Sequence, residues 1–265
     1  MDLNMKTEGE RKWALQGFNQ LADVYDNNRL DYPEELVKTI IDRANLIIES
    51  KVLEIGAGSG KATALFADFG FEIICIEPGA DLAEKGKGRF NDKNIKYIVT
   101  TFEDYAEPPK YFDAIISAQA FHWISQPIGY EKCSRTLKKD GCLALFWNVN
   151  LFRDDIDLDR ELWAIICKYE GWVSCMQEKD YAARMESITS KIVGSGLFSK
   201  PEIIHFYKEH NFAADGYFNY MFTGGGLKKT EVEKQACQEE LSQLAQKYNG
   251  INRNFHYELY FTQKL

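Results

Sequence analysis

No run of apolar residues in this 265-residue chain reaches the ~18 needed to span a bilayer. The six cysteines form no C-x-x-C pair, and none stands at metal-ligand spacing from a histidine, so no bound metal is expected. Cys75 and Cys142 sit inside apolar runs and read as core thiols of a reducing compartment, the cytoplasm. The opening segment, MDLNMKTEGERKW, lacks the apolar stretch of a secretory signal. Positive charge is in deficit: 32 Lys and Arg stand against 40 Asp and Glu, a formal net charge of −8. That balance argues against a nucleic-acid partner, whose surface selects basic proteins. One local basic patch, Lys85, Lys87, Arg89, Lys93 and Lys96, is broken by Glu84 and Asp92 and reads as a solvated face. Repeats and low-complexity linkers are also missing. What remains is an ordinary globular composition, 45% hydrophobic and 27% charged, enough for one large core.

Residues 10–28 carry Ala14, Phe18, Leu21 and Tyr25 on one helical stripe. NNRLDYP breaks it, and Pro33 opens a second helix with Leu36, Val37, Ile40 and Ile41. From residue 51 the rhythm changes. Strand-length apolar runs at 51–55, 71–76, 95–99, 112–118 and 141–147 alternate with helical stretches at 60–69, 79–90 and 126–139. This alternation predicts an α/β fold, a doubly wound parallel sheet covered on both faces. Residues 150–182 depart from it with acids and the aromatics Phe152, Trp163, Tyr169, Trp172 and Tyr181. A helix at 183–194 and a strand near 202–208 resume it. A second departure at 213–250 contains a capping box, Thr230 with Glu233, and a stripe of Cys237, Leu241, Leu244 and Tyr248. The closing FHYELYFTQ alternates like an antiparallel strand. The expected organisation is a helical lid segment at 1–44, a cofactor-binding core at 45–150, an insertion or lid at 151–182, and the end of the sheet domain at 183–265 with a helical insertion at 213–250. Both insertions would start at the carboxyl edge of the sheet, where ligands bind in open α/β folds.

The stretch VLEIGAGSGKATALFADFGFEIICIEP holds the cofactor signal. A strand, a glycine turn and a helix N-terminus let backbone approach a ligand closely. The glycines Gly56, Gly58 and Gly60 are spaced G-x-G-x-G, whereas a dinucleotide fingerprint needs its third glycine at position 61, here Lys61. Glu54, two residues before the first glycine, would crowd a pyrophosphate and suits a ligand bearing an ammonium. Glu77, ending the second strand, can accept both hydroxyls of a ribose. Thr101, Phe102 and Glu103 follow the third strand and fall beside an adenine.

VLEIGAGSG resembles motif I of class I S-adenosylmethionine-dependent methyltransferases, and CIEP resembles their second motif. YFDAIISAQAFHWI, with RLDYP, is similar to a small-molecule subgroup that includes trans-aconitate methyltransferase-like proteins. The resemblance covers roughly residues 45–150. It implies a Rossmann-like seven-stranded sheet with the last strand antiparallel, and S-adenosyl-L-methionine as cofactor, with S-adenosyl-L-homocysteine as product. It also implies roles. Gly56, Ala57 and Gly58 would pack against the methionine part, Gly60 would belong to the same cofactor-binding loop, and Glu54 would face the ammonium. Glu77 would take the ribose, and Pro78 of the second motif would also be cofactor-binding. Thr101, Phe102 and Glu103 would flank the adenine, and Gln119 would line the methionine end.

The chemistry implied is in-line methyl transfer to a small-molecule acceptor, for which an aligned lone pair matters more than a covalent nucleophile. His122 is the catalytic candidate, read as a substrate contact, a general base or a structural hydrogen-bonder. Trp123 and Trp147 could wall an acceptor pocket or simply pack. Arg29 and Tyr32 could clamp a substrate carboxylate, or Arg29 could close a helix-end salt bridge. The TGGGL stretch, Gly224 to Gly226, has no P-loop lysine and reads as a hinge. Three rivals stand beside this reading: an NAD-dependent oxidoreductase, a nucleic-acid methyltransferase and a non-catalytic S-adenosylmethionine-binding protein. The first fails to explain Glu54. The second lacks the tetrad expected after the fourth strand, where SAQA stands, and EPPKY lies before that strand with a lysine inserted.

Overall fold

The apolar runs become one sheet because each strand has two buried faces to fill. The structure, a computed structural model, describes residues 28, 30–91, 93–106, 108–169, 175–222 and 229–265. The stripe of Ala14, Phe18, Leu21 and Tyr25 lies outside the described residues, as do Arg29, Asp92, Glu107, Trp172 and Gly224 to Gly226.

In chain order the elements are α1 (Glu34–Arg43), β1 (Lys51–Ile55), α2 (Thr63–Phe66), β2 (Glu72–Glu77), α3 (Ala80–Arg89), β3 (Ile95–Val99), β4 (Phe112–Ala118), a short 3-10 turn (Phe121–Trp123), α4 (Ile128–Thr136) and β5 (Leu137–Phe152). There follow α5 (Asp157–Tyr169), β6 (Cys175–Gln177), α6 (Glu178–Gly194), β7 (Glu202–Phe212), α7 (Ala214–Met221), α8 (Glu231–Tyr248) and β8 (Ile251–Gln263). The sheet order is β3-β2-β1-β4-β5-β8-β7, with the short β6 added to β5. β8 runs antiparallel to both β5 and β7, and the pairs from β3 to β5 are parallel. The chain winds outward from β1 through β2 to β3, then returns to β4 on the other side of β1. That reversal is a topological switch point, and it opens a crevice at the carboxyl ends of β1 and β4.

The residues of each parallel strand divide between two cores. Val52, Cys75, Ala114, Ile116, Ala144 and Phe146 pack on one face of the sheet. Leu53, Ile55, Ile76, Ile115, Leu145 and Trp147 pack on the other. A period of two therefore survives in the packing although every position is apolar, as expected where helices cover both faces.

Several elements differ from the sequence expectation, two of them near the site. β5 begins before the apolar run, at Leu137, and pairs with β4 across a register shift between Phe112 and Ala114. It also continues past Trp147 because Asn148 and Asn150, poor strand formers, find buried partners. α2 is a single regular turn, not a helix over 60–69.

The segments at 151–169 and 213–248 form one helical unit. Lys247 Nζ and Tyr248 Oη donate to Glu161 at 2.7 and 2.8 Å, and Tyr169 Oη donates to Glu240 at 2.8 Å. The predicted capping box opens α8: the Thr230 side chain accepts from Glu233 N at 3.2 Å, and Glu233 Oε2 accepts from Thr230 N at 2.7 Å. A buried ion pair, Arg253 with Asp159, anchors this unit to the sheet. Arg253 also donates to Asn150 Oδ1 at 2.9 Å and lies over the Phe152 ring at 4.2 Å. Asn150 in turn donates to Tyr217 Oη at 3.1 Å. Among the described residues, no helix is long and apolar enough to cross a membrane.

Removing Asp159 leaves the Arg253 charge buried without its carboxylate. Asp159→Ala is expected to lower unfolding free energy by about 3–5 kcal/mol in a denaturant titration. A loss under about 1 kcal/mol, the range of a solvated pair, would show that the network does not anchor the unit.

Candidate functional site

β1 ends at Ile55, and its backbone turns through three glycines in the left-handed region: Gly56 at φ 71°, Gly58 at φ 57° and Gly60 at φ 86°. Gly56 N and Ala57 N both donate to Ile76 O, at 2.8 and 3.2 Å, tying the turn to β2. A Cβ on Gly56 would lie 2.3 Å from the Ala120 Cβ, so the loop can approach the β4 edge only without a side chain. A Cβ on Gly58 would meet nothing within 4 Å and would stand in open space. At Gly60 the missing Cβ makes room for the Phe90 ring and Tyr97 Oη, which pack against the loop.

Two buried carboxylates adjoin the loop. Glu77 Oε2 accepts from Gly58 N at 2.8 Å and Oε1 from Gly79 N at 2.7 Å. Burial pushes its carboxyl up to about 7, against the pull of those two amides. Glu54 is 1% exposed. Its Oε2 accepts from Thr63 Oγ1 at 2.6 Å, while its Oε1 has no hydrogen-bond partner among the described residues. Burial raises Glu54 to about 8; the Thr63 hydroxyl opposes the rise and the nearby Glu77 charge adds to it.

Glu54, Gly56, Ala57 and Gly58 line a cleft with Ala118 and Gln119 of the β4 edge and Leu30 and Tyr32 of the N-terminal segment. Its empty volume is about 430 Å³ including the open mouth. Gln119 takes φ 60°, uncommon for a residue with a side chain, and β5 holds it there. Gln119 N donates to Phe146 O at 2.9 Å, and its side-chain amide donates to the Asn148 side chain and, at 3.1 Å, to Asn148 O. Tyr32 meets Phe146 edge-on at 5.0 Å, and Tyr257 Oη donates to Asp31 O at 3.0 Å.

The Phe102 ring is buried in the core beside Ile55 and Ile76, so its side chain is not a cleft wall. The Thr101 hydroxyl is engaged locally with Asp104, and Glu103 Oε1 accepts from Ser125 N at 2.9 Å, pinning the turn after β4. Pro78 is half-buried between Glu77 and Gly79. His122 and Trp123 are half-buried on the 3-10 turn, three and four residues past Gln119. Trp147 is buried, and its indole N–H donates to His122 Nδ1 at 3.2 Å. Arg29 lies outside the described residues.

Sequence reasoning missed Leu30, Ser59, Lys61, Ala62, Ala118 and Asn148 as cleft residues. Lys61 Nζ reaches Asp31 Oδ1 at 3.1 Å and straps the glycine loop to the N-terminal segment. Asn148 had a legible signal, an amide inside the apolar run LFWNV. Among the described residues, no group of three or more His, Cys, Asp or Glu could hold a metal ion.

Residues 53–145 match a protein family described as a methyltransferase domain. A protein of Dictyostelium discoideum, provisionally named a methyltransferase, is 32% identical over 136 residues, 51% of this chain and 50% of its own length. A solved structure from Anaeromyxobacter dehalogenans, provisionally named a type II methyltransferase, has a TM-score of 0.62 at 18% identity, covering 89% of this chain and 97% of that one. Phosphoethanolamine N-methyltransferase 2 of Haemonchus contortus, solved with S-adenosylhomocysteine, has a TM-score of 0.53 at 13% identity, covering 94% of this chain and 56% of that one. Residues 53–145 thus match a methyltransferase domain, and the solved structures share the fold of most of the chain. The match spans about half the length of the Dictyostelium relative.

The raised Glu54 and Glu77 carboxyls bind protons in the folded chain that the unfolded chain has released. Between the ordinary glutamate value near 4.5 and about 8, stability falls as pH rises. Glu54→Gln removes the larger contribution. Its melting temperature is expected to gain on wild type as pH rises from 5 to 8, with little difference at pH 4. A constant offset across that range in differential scanning calorimetry would mean Glu54 does not titrate in it.

Proposed function

We propose that the protein transfers a methyl group from S-adenosylmethionine to a small-molecule acceptor, a carboxylic acid being the favoured class, by in-line displacement. The observation that carries this reading is Glu54: a buried carboxyl with one unpartnered oxygen, under a glycine loop with open space above Gly58. That arrangement fits a cationic ligand with a nucleoside attached. Glu54 would face the ammonium, and Glu77 would offer ribose hydroxyls the lone pairs left over from Gly58 and Gly79. When bound, S-adenosylmethionine supplies a methyl on a positively charged sulfonium.

The chain's own part is to orient and to exclude water. Tyr32 and Leu30 line the cleft from the N-terminal segment, and Gln119 with Asn148 lines it from the edge of β4 and from β5. Arg29, next to Leu30 in the chain, is the group proposed to hold the acceptor carboxylate. His122 and Trp123, on the turn after β4, are proposed to meet the acceptor. Alignment of a lone pair with the methyl contributes up to about 7–11 kcal/mol to such reactions. The net charge of −8 repels a phosphate backbone and supports a small acceptor over nucleic acid. Six free thiols support a reducing, cytoplasmic setting.

Isothermal titration with S-adenosylmethionine, S-adenosylhomocysteine and NAD tests the cofactor. Micromolar binding of the first two without NAD is expected, and binding of NAD alone would overturn the reading. Glu77→Ala should weaken cofactor binding more than tenfold, through lost charged hydrogen bonds. His122→Ala should leave that affinity nearly intact and cut methyl transfer in a screen of carboxylic acids. Tight cofactor binding with no transfer to any acceptor class would favour a binding protein without catalysis.

A further inference from the structure

His122 sits on a turn whose backbone is fixed. Trp123 N donates to Ala120 O at 2.9 Å and Ile124 N to Phe121 O at 3.1 Å, while the buried Phe121 ring packs on Tyr130 at 5.2 Å. The Trp147 indole N–H donates to the imidazole at Nδ1, 3.2 Å away. An indole nitrogen can only donate. Nδ1 must therefore carry a lone pair, and the proton of the neutral ring lies on Nε2.

Trp147 cannot turn away to release this choice. It is buried, and Tyr260 meets its ring edge-on at 5.7 Å. The Arg184 guanidinium of α6 lies 5.7 Å from its ring centroid, held by an ion pair with the buried Glu258 of β8. Glu258 is itself steadied by Tyr260 Oη at 3.2 Å. A doubly protonated His122 would set N–H against N–H, with the Arg184 cation behind the indole.

We infer that Trp147 is a positioning residue that locks His122 in its Nε2–H tautomer, so that His122 meets the methyl acceptor as a hydrogen-bond donor and not as a general base. This rests on the methyltransferase reading and narrows it. An acceptor served by a donor already has its lone pair bare near neutral pH. A carboxylate meets that condition, whereas an alcohol needs a base to take its proton.

The test reads the ring nitrogens directly, on the full 15N-labelled chain without cofactor or acceptor. Two-bond proton–nitrogen correlation spectra separate the tautomers, and His122→Gln assigns the His122 pattern by its disappearance. The expected pattern is a protonated Nε2 and a bare Nδ1. In Trp147→Phe the two nitrogens should move toward each other as the tautomers mix. A protonated Nδ1, or a mixed pattern in the wild-type chain, overturns the inference, as does a Trp147→Phe spectrum unchanged from wild type. If Trp147→Phe does not fold, His122→Ala serves: the Trp147 indole proton should then exchange faster with solvent, and unchanged exchange counts against the bond. Calorimetry with S-adenosylmethionine decides the methyltransferase reading separately. Loss of cofactor binding with the Nε2–H pattern intact would sink the reaction and leave the tautomer lock standing.

Discussion

The Glu77 carboxylate stands between two backbone amides, Gly58 N and Gly79 N, and most of the site depends on that bridge. It joins the loop after β1 to the turn after β2 at the point where the sheet reverses its winding. Both faces of the parallel strands are filled with apolar side chains, so polar backbone can gather only at the strand ends. A loop there must satisfy its own amides within reach of the core. Glu77 does so at the expense of its own ionisation, because burial outweighs the two hydrogen bonds it accepts.

Glu54 shows the same tension more strongly. A carboxyl that is 1% exposed, with one oxygen on Thr63 and the other without a partner, is a poor choice for stability alone. A neighbouring cation would let the charged form persist there. The cleft accordingly combines a destabilised carboxyl, a glycine loop and Gln119 in the left-handed region, three local departures from what a stable core prefers. Their clustering at one strand edge is what separates a binding site from an ordinary strand–helix turn.

Stability is supplied from the other end of the sheet. The long antiparallel pairs of β8 with β5 and β7 extend beyond the parallel core and carry the helical unit of α5, α7 and α8. Arg253, Asp159, Asn150 and Tyr217 form its buried polar centre, each with a partner. β5 links the two regions. Its Phe146 and Asn148 hold Gln119, its Trp147 holds His122, and its Asn150 holds the Arg253 network. A strand with alternating faces can perform these tasks side by side because successive residues point in opposite directions.

The amino-acid order alone determined the alternation of strands and helices, the glycine turn between Glu54 and Glu77, and the antiparallel closing strand. Each is a local pattern of period, spacing or backbone freedom, readable without knowing what lies opposite. The capping box at Thr230 and Glu233 was legible for the same reason: its partners are three residues apart. Only the tertiary structure decided which side chains reach the cleft. Phe102 turned into the core, and the missing Cβ of Gly60 makes room for Phe90 and Tyr97. Asn148 and Lys61 became cleft residues through Gln119 and Asp31, partners 29 and 30 residues away in the chain. The choice of the His122 nitrogen that carries the proton was likewise settled by Trp147, 25 residues on. Side-chain direction and hydrogen-bond partner depend on what the fold packs opposite, and no local pattern encodes that.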